Sequence, residues 1–214
     1  MKKYLIMAGM ALSVAGLVAF TQGTTPPESL AIGALAPKTD LKMSLSNGKE
    51  VSLAELKGKN GLLVVFSCNT CPFVVGAEGY GQGWEGRYAQ VQKDAQSMNF
   101  GMVLVNSNEA KREKGDGLDD MRKHAEEKGY GNIPYALDKN SELANAFGAR
   151  TTPHVYLFDK DMKLIYKGAI DDSNESPEKV KERYLFKAMQ LSSSGKKVDP
   201  AETKPVGCSI KRVG

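Results

Sequence analysis

With 29 basic and 25 acidic residues among 214, the chain carries a net charge of only +4 and mixes its signs, which excludes the one-sided basic surface of a nucleic-acid binder. The length suits one domain with a substantial core and is short for two. Three cysteines are too few for a disulfide framework and odd in number, so at least one thiol is unpaired or pairs transiently, and chemistry explains them better than scaffolding.

The chain opens on a targeting pattern. Lys2 and Lys3 precede an uncharged, mostly apolar run from Tyr4 to Phe20, and the small residues Thr21 and Gly23 suit processing, so residues 1–23 read as a signal peptide, with an uncleaved anchor as the alternative. No cysteine follows this run closely, which leaves lipid anchoring without a candidate residue. The mature protein is expected to be soluble and exported, either periplasmic or secreted. The stretch from Thr24 to Pro37 carries three prolines and little periodicity, so residues 24–36 read as a linker, residues 37–191 as the folded domain and residues 192–214 as a tail without assigned structure.

Within the domain, alternation over Leu41 to Leu45, the Asn47-Gly48 pair, and Val51 and Leu53 predict a hairpin. Leu62 to Phe66 is a continuous apolar run of strand length, expected to be buried on both faces. A helix should follow from near Asn69 or Thr70, because Pro72 is tolerated only in a first turn. Gly76, Gly79, Gly81, Gly83 and Gly86 should interrupt it before it resumes over Arg87 to Ser97. Met102 to Val105 predicts a second buried strand, and Leu118, Met121 and Ala125 one face of a helix closed by Gly129. Ser141 is the expected N-cap of a helix to Phe147. His154 to Asp159 and Lys163 to Gly168 predict an antiparallel hairpin, and Ser176-Pro177-Glu178 the start of a last helix. The order predicts an α/β domain with a mixed central sheet flanked by helices, an N-terminal β-hairpin and a βα insertion.

Cys68 and Cys71 lie three residues apart where the first buried strand should meet a helix, close enough to form a disulfide. Free N–H groups at a helix start favour a thiolate, so this pair reads as a redox-active dithiol. A zinc half-site fits poorly, since no second close pair of Cys or His exists. Thr152 and Pro153 precede a strand, as a proline loop beside the dithiol requires. The charge run Lys111 to Lys114 and His124 read as solvated, and Trp84 as packing.

These pieces resemble the thioredoxin-like AhpC/TSA (redoxin) superfamily, and in particular its peroxiredoxin-like branch with a Cys-Asn-x-Cys-Pro motif. The matching segments are Leu45 to Gly48 through Gly58, Phe66 to Pro72, Val105 to Asn108, Thr152-Pro153, Gly168 to Asp172 and Pro205 to Lys211. The resemblance implies a thioredoxin fold, a cis Pro153 abutting the redox disulfide, catalytic Cys68 and Cys71 supported by Thr152 and Pro153, and no cofactor. Thioredoxins proper differ in having a Trp where Ser67 stands and a buried acid in the preceding strand, where Leu62 to Phe66 offers none. Proton transfer at the second thiol is therefore unassigned.

Three activities are compatible with this pattern. In disulfide exchange, Cys68 as the more exposed thiol attacks a protein or small-molecule disulfide and Cys71 resolves it, with a membrane or periplasmic redox partner restoring the pair. In a thiol peroxidase, Cys71 attacks peroxide and Cys68 or Cys208 resolves. In a Cu(I) carrier, Cys68, Cys71 and His154 hold the metal. Cys208 is either an inert tail cysteine or a resolving or relay thiol. Oligomeric state is not encoded in any recognisable pattern.

Overall fold

The computed structural model describes residues 28–213, so the targeting segment lies outside the described residues. A seven-stranded mixed sheet organises them. The hairpin forms as β1 (Met43–Leu45) and β2 (Glu50–Val51), and Ser52 then caps α1 (Leu53–Leu56) reciprocally with Glu55. β3 (Gly61–Ser67), buried along its whole length, pairs in parallel with β4 (Phe100–Asn106), which pairs in parallel with β5 (Tyr135–Leu137). On the other side β3 is antiparallel to β7 (His154–Asp159), and β7 to β8 (Leu164–Gly168). The short β5, expected only as part of an insertion, joins the β1 hairpin to the central strands, giving the order β2-β1-β5-β4-β3-β7-β8.

Because neighbouring side chains of a strand face opposite ways, each face of the sheet carries its own apolar cluster. Leu63, Val65, Leu104, Val155 and Leu157 face α3 (Tyr88–Ser97) and α6 (Tyr184–Ser193), while Leu62, Val64, Phe66, Tyr156 and Phe158 face α1 and α5 (Glu142–Phe147). α4 (Leu118–Glu127) adds Met121 to the first face. Among the described residues no helix is long and apolar enough to cross a membrane.

Several boundaries depart from expectation for identifiable reasons. The helix expected from Asn69 or Thr70 is α2 (Pro72–Val75), with Cys71 as its N-cap in extended conformation (φ −91°, ψ 123°). A proline ring clashes with a helical residue before it, which holds Cys71 out of the helix. The glycine interruption forms as expected: Gly76 ends α2 at φ +78°, where a side chain would meet the Gln82 carbonyl oxygen 2.6 Å away. Ser141 does not cap α5. Its hydroxyl donates to the Ser107 carbonyl, and the Asp138 carboxylate accepts the Leu143 and Ala144 N–H groups at 2.8 and 2.9 Å instead. The start expected at Ser176 forms a single 3-10 turn over Pro177–Lys179, and the last α-helix begins only at Tyr184, because Asp172 accepts the N–H groups of Lys181 and Glu182 in between.

Neither flank trails away. The described part of the expected linker is pinned to the body, with the N–H groups of Leu30, Gly33 and Ala36 donating to the carbonyls of Phe147, Leu164 and Met162. The tail crosses β8 through Thr203 and Ala201, buries Val198 and Ile210, and forms β9 (Cys208–Ser209) against β6 (Thr151–Thr152).

Candidate active site

Cys68 follows directly on β3, whose buried backbone fixes its position, and Cys71 stands at the head of α2. Both thiols are free, as is that of Cys208. Thr152 touches both members of the pair: its hydroxyl lies 3.3 Å from the Cys68 sulfur, and its carbonyl oxygen, 3.1 Å from the Cys71 sulfur, accepts the Cys71 proton when that thiol is neutral. The Thr152–Pro153 peptide is cis, as the family resemblance implied. The structure thus brings together Cys68, Cys71, Thr152, Pro153 and Cys208, the last through the register that sets Cys208 opposite Thr152.

The two thiols of the pair are electrostatically unequal. Hydrogen bonding from Cys68 above all, with contributions from Cys208 and Thr152, holds the Cys71 thiol down to about 5 against the opposing effect of burial. Hydrogen bonding to Cys71, burial and the charge of Asp116 push Cys68 the other way, well above the ordinary thiol range. The expectation that Cys68 is the more exposed thiol is corrected accordingly. Cys68 is fully buried and Cys71 is 3% exposed, because Cys68 ends a core strand whereas Cys71 begins the loop-side helix.

The loop between the cysteines is held by a carboxylate that sequence reasoning missed. Buried Asp116 accepts the Asn69 N–H at 2.7 Å and the Asn106 side-chain amide at 2.8 Å on one oxygen, and the Thr70 hydroxyl at 2.7 Å and the Asn108 amide at 3.0 Å on the other. Tyr135 donates to the Asn69 side-chain oxygen at 2.8 Å, and the Asn69 amide donates to the Gly115 carbonyl. Arg112, read as part of a solvated run, is largely buried and donates to the Asn106, Asp116 and Asp138 carbonyls. Asn108 also accepts the Lys211 N–H, which ties the tail carrying Cys208 to the same hub. The Asn106-Ser107-Asn108 segment was the visible signal; nothing local to Asp116 marked it.

Two other residues depart from expectation, and a third meets it. His154 does not reach the thiols. It follows β6 on the opposite face of the sheet, its ring 4.6 Å from that of Tyr156, and burial lowers it to about 3. A Cu(I) site of Cys68, Cys71 and His154 is therefore excluded by strand alternation, and among the described residues no cluster of three or more His, Cys, Asp and Glu side chains suits a metal. His124 is mostly buried and bonds to the Glu85 carboxylate, which also accepts the Tyr130 hydroxyl. Trp84 packs in the core as expected, and its Nε1 also donates to Asp171 at 2.7 Å.

Comparison with known proteins gives the chain its family. A family model described as Redoxin matches residues 31–184, a span that holds the dithiol and the proline loop but not Cys208. An uncharacterized conserved protein from Geobacillus kaustophilus is 30% identical, with a TM-score of 0.75 over 86% of this chain and 93% of its own. A hypothetical protein from Sinorhizobium meliloti 1021 is likewise 30% identical, with a TM-score of 0.76 over 87% and 97%. A putative protein disulfide isomerase from Bacteroides thetaiotaomicron shares the fold at 16% identity, with a TM-score of 0.52 over 79% and 91%. None of the curated proteins matches. A parallel β3–β4–β5 core, an antiparallel β7–β8 edge and a cis proline beside two thiols make the fold thioredoxin-like, and the chain belongs to the redoxin family.

Proposed function

We propose that the chain is a thiol–disulfide oxidoreductase working through Cys68 and Cys71. The observation that carries this reading is the shared contact with Thr152 of two free thiols whose acidities are driven apart, one toward the thiolate and one toward the neutral form. A thiolate beside a protonated thiol supplies both a leaving group and its resolving partner, which is what exchange with a disulfide needs. Cys71 is the thiolate in this scheme. In the exchange direction that reduces a substrate, the cycle ends when Cys68 closes the internal disulfide with Cys71.

The test is a redox titration of wild type and each Cys→Ser variant in graded glutathione buffers, with turnover of a disulfide and of hydrogen peroxide measured in parallel. A reversible two-electron couple present in wild type and lost in Cys71→Ser supports exchange, and its absence from wild type refutes it. The acidity of Cys71 also favours a second reading as a thiol peroxidase. Peroxide turnover lost in Cys71→Ser and retained in Cys68→Ser would support that one.

We further propose that the protein works outside the cytosol with a periplasmic or membrane redox partner. The pattern of residues 1–23 supports export, and an oxidising compartment suits a dithiol couple. An N-terminal sequence beginning near Thr24 in the protein recovered outside the cytosol is the expected result; an intact Met1 in a cytosolic protein would overturn it.

A further inference from the structure

We propose that Cys208 is the contact thiol of this protein: Cys71 forms a second, outer disulfide with Cys208, and partners exchange with that bond rather than with the buried Cys68–Cys71 pair. The inference rests on the exchange reading above and adds its route of access.

Geometry supplies the reason. Attack on a disulfide needs an open approach to one sulfur, and Cys68 and Cys71 offer almost none. Cys208 packs against the same apolar cluster as both, yet it is partly exposed and flanked by exposed Val206 and Ser209. Its strand is seated on the residue that touches both buried thiols, with Cys208 opposite Thr152. Gly207 permits that seat, since a side chain there would lie 2.1 Å from the Thr152 carbonyl oxygen. Cys71 and Cys208 act on each other's acidity, Cys71 raising the Cys208 thiol and Cys208 lowering the Cys71 thiol, while the Phe73 backbone lowers Cys208.

The chemistry balances without another reagent. Starting from the oxidised protein, the Cys208 thiolate attacks the Cys71 sulfur, so the Cys71–Cys208 bond forms as Cys68–Cys71 breaks and Cys68 leaves with the electron pair. No net oxidation occurs in that step. A partner dithiol then attacks the Cys208 sulfur and expels Cys71 as thiolate, and its second thiol displaces Cys208. The partner gains a disulfide and the protein gains two electrons as three thiols; substrate reduction is the same sequence reversed. The outer bond is also polarised for this use. Burial and Cys71 push Cys208 up to about 11, while Cys71 is the acidic member, so an incoming thiolate is steered to Cys208 with Cys71 as the better leaving group.

Tryptic mapping without reduction tests the proposal directly. Cys68 and Cys71 fall in one peptide, residues 60–87, whereas Cys208 falls in residues 198–211, because Lys204 precedes a proline. The outer disulfide therefore appears as two linked peptides and the inner one as a loop within a single peptide. Cys68→Ser, oxidised with glutathione disulfide and quenched in acid, is expected to yield mainly the linked pair; its absence from the folded variant overturns the relay. If that variant does not fold, acid-quenched oxidised wild type decides by the same criterion, with the linked pair expected beside the loop. With insulin as protein disulfide, Cys208→Ser is expected to lower kcat/KM about tenfold or more, and an undiminished value overturns the proposal. An oxidised wild type with the loop but no linked pair leaves the exchange reading standing, whereas one with neither defeats both.

Discussion

The Asp116 carboxylate accepts the backbone N–H of Asn69 at 2.7 Å across 47 residues of sequence, so the loop between the two cysteines is positioned by a distant buried acid and not by its own helix. With four donors directed at its two oxygens, Asp116 has no position in which an amide serves equally well. Asp116→Asn turns an NH2 group toward two of those donors. A loss of about 3 kcal/mol is expected from the denaturation midpoint at unchanged slope. The same change removes a negative charge that pushes Cys68 upward, so the Cys68 thiol should titrate at lower pH. A loss under about 1 kcal/mol would show that the network is not holding the loop.

In reduced protein the first thiolate should appear near pH 5 and belong to Cys71, with Cys68 titrating above the ordinary range. Ultraviolet thiolate absorbance measures this, and Cys71→Ser should abolish the low-pH step. The sign for stability follows from the depressed folded value. Cys71 stabilises the reduced fold fully above its ordinary value of 9.0, and this contribution fades as pH falls and is gone below about 5. Appearance of the first thiolate only near 9 would mean that its neighbours do not acidify it.

Regular, two-sided features of this fold were legible in the sequence, and features made by single long-range contacts were not. The buried runs of β3 and β4, the Asn47-Gly48 turn and the β7–β8 alternation each repeat a pattern over several residues, and each formed where expected. β9 is two residues long and carries no periodicity to read; it exists because Thr151 and Thr152 present a free edge to it. The same limit hid Asp116 and Asp138, whose importance lies in donors tens of residues away or a turn ahead. The start of α2 was legible in principle, because Pro72 restricts the residue before it as well as itself. The candidate pair and its proline loop could be named from sequence, but the relative burial of Cys68 and Cys71 depends on where the strand ends and the helix begins.

Asp171 carries a separate part of the site's frame. It accepts Trp84 Nε1 at 2.7 Å and pairs with Arg87 at 2.6 Å, with both charged side chains largely buried. Removing one member of a buried pair leaves the other charge uncompensated, so Asp171→Ala should cost about 3–5 kcal/mol. Trp84 is the sole tryptophan of the chain and reports the change directly. Its emission should shift to the red as the indole N–H loses its partner and water enters. An unshifted spectrum with unchanged stability would mean that Arg87 and Trp84 are held by other contacts.

Gly207→Ala tests the coupling of tail to dithiol with the smallest possible change. The added carbon would stand 2.1 Å from the Thr152 carbonyl oxygen and 2.6 Å from its carbonyl carbon, and both are backbone atoms that a rotamer change cannot move. The strand pair must therefore separate, at an expected cost of about 1–3 kcal/mol. Cys208 should move away from Cys71 with it, because the register that sets it opposite Thr152 is lost. Two measurements together are decisive: a lower denaturation midpoint, and a smaller yield of the Cys71–Cys208 linked peptides than in the parent protein. A normal yield at reduced stability would place the Cys208 sulfur under the control of Phe73 and the Asn108–Lys211 bond rather than of the β6–β9 pair.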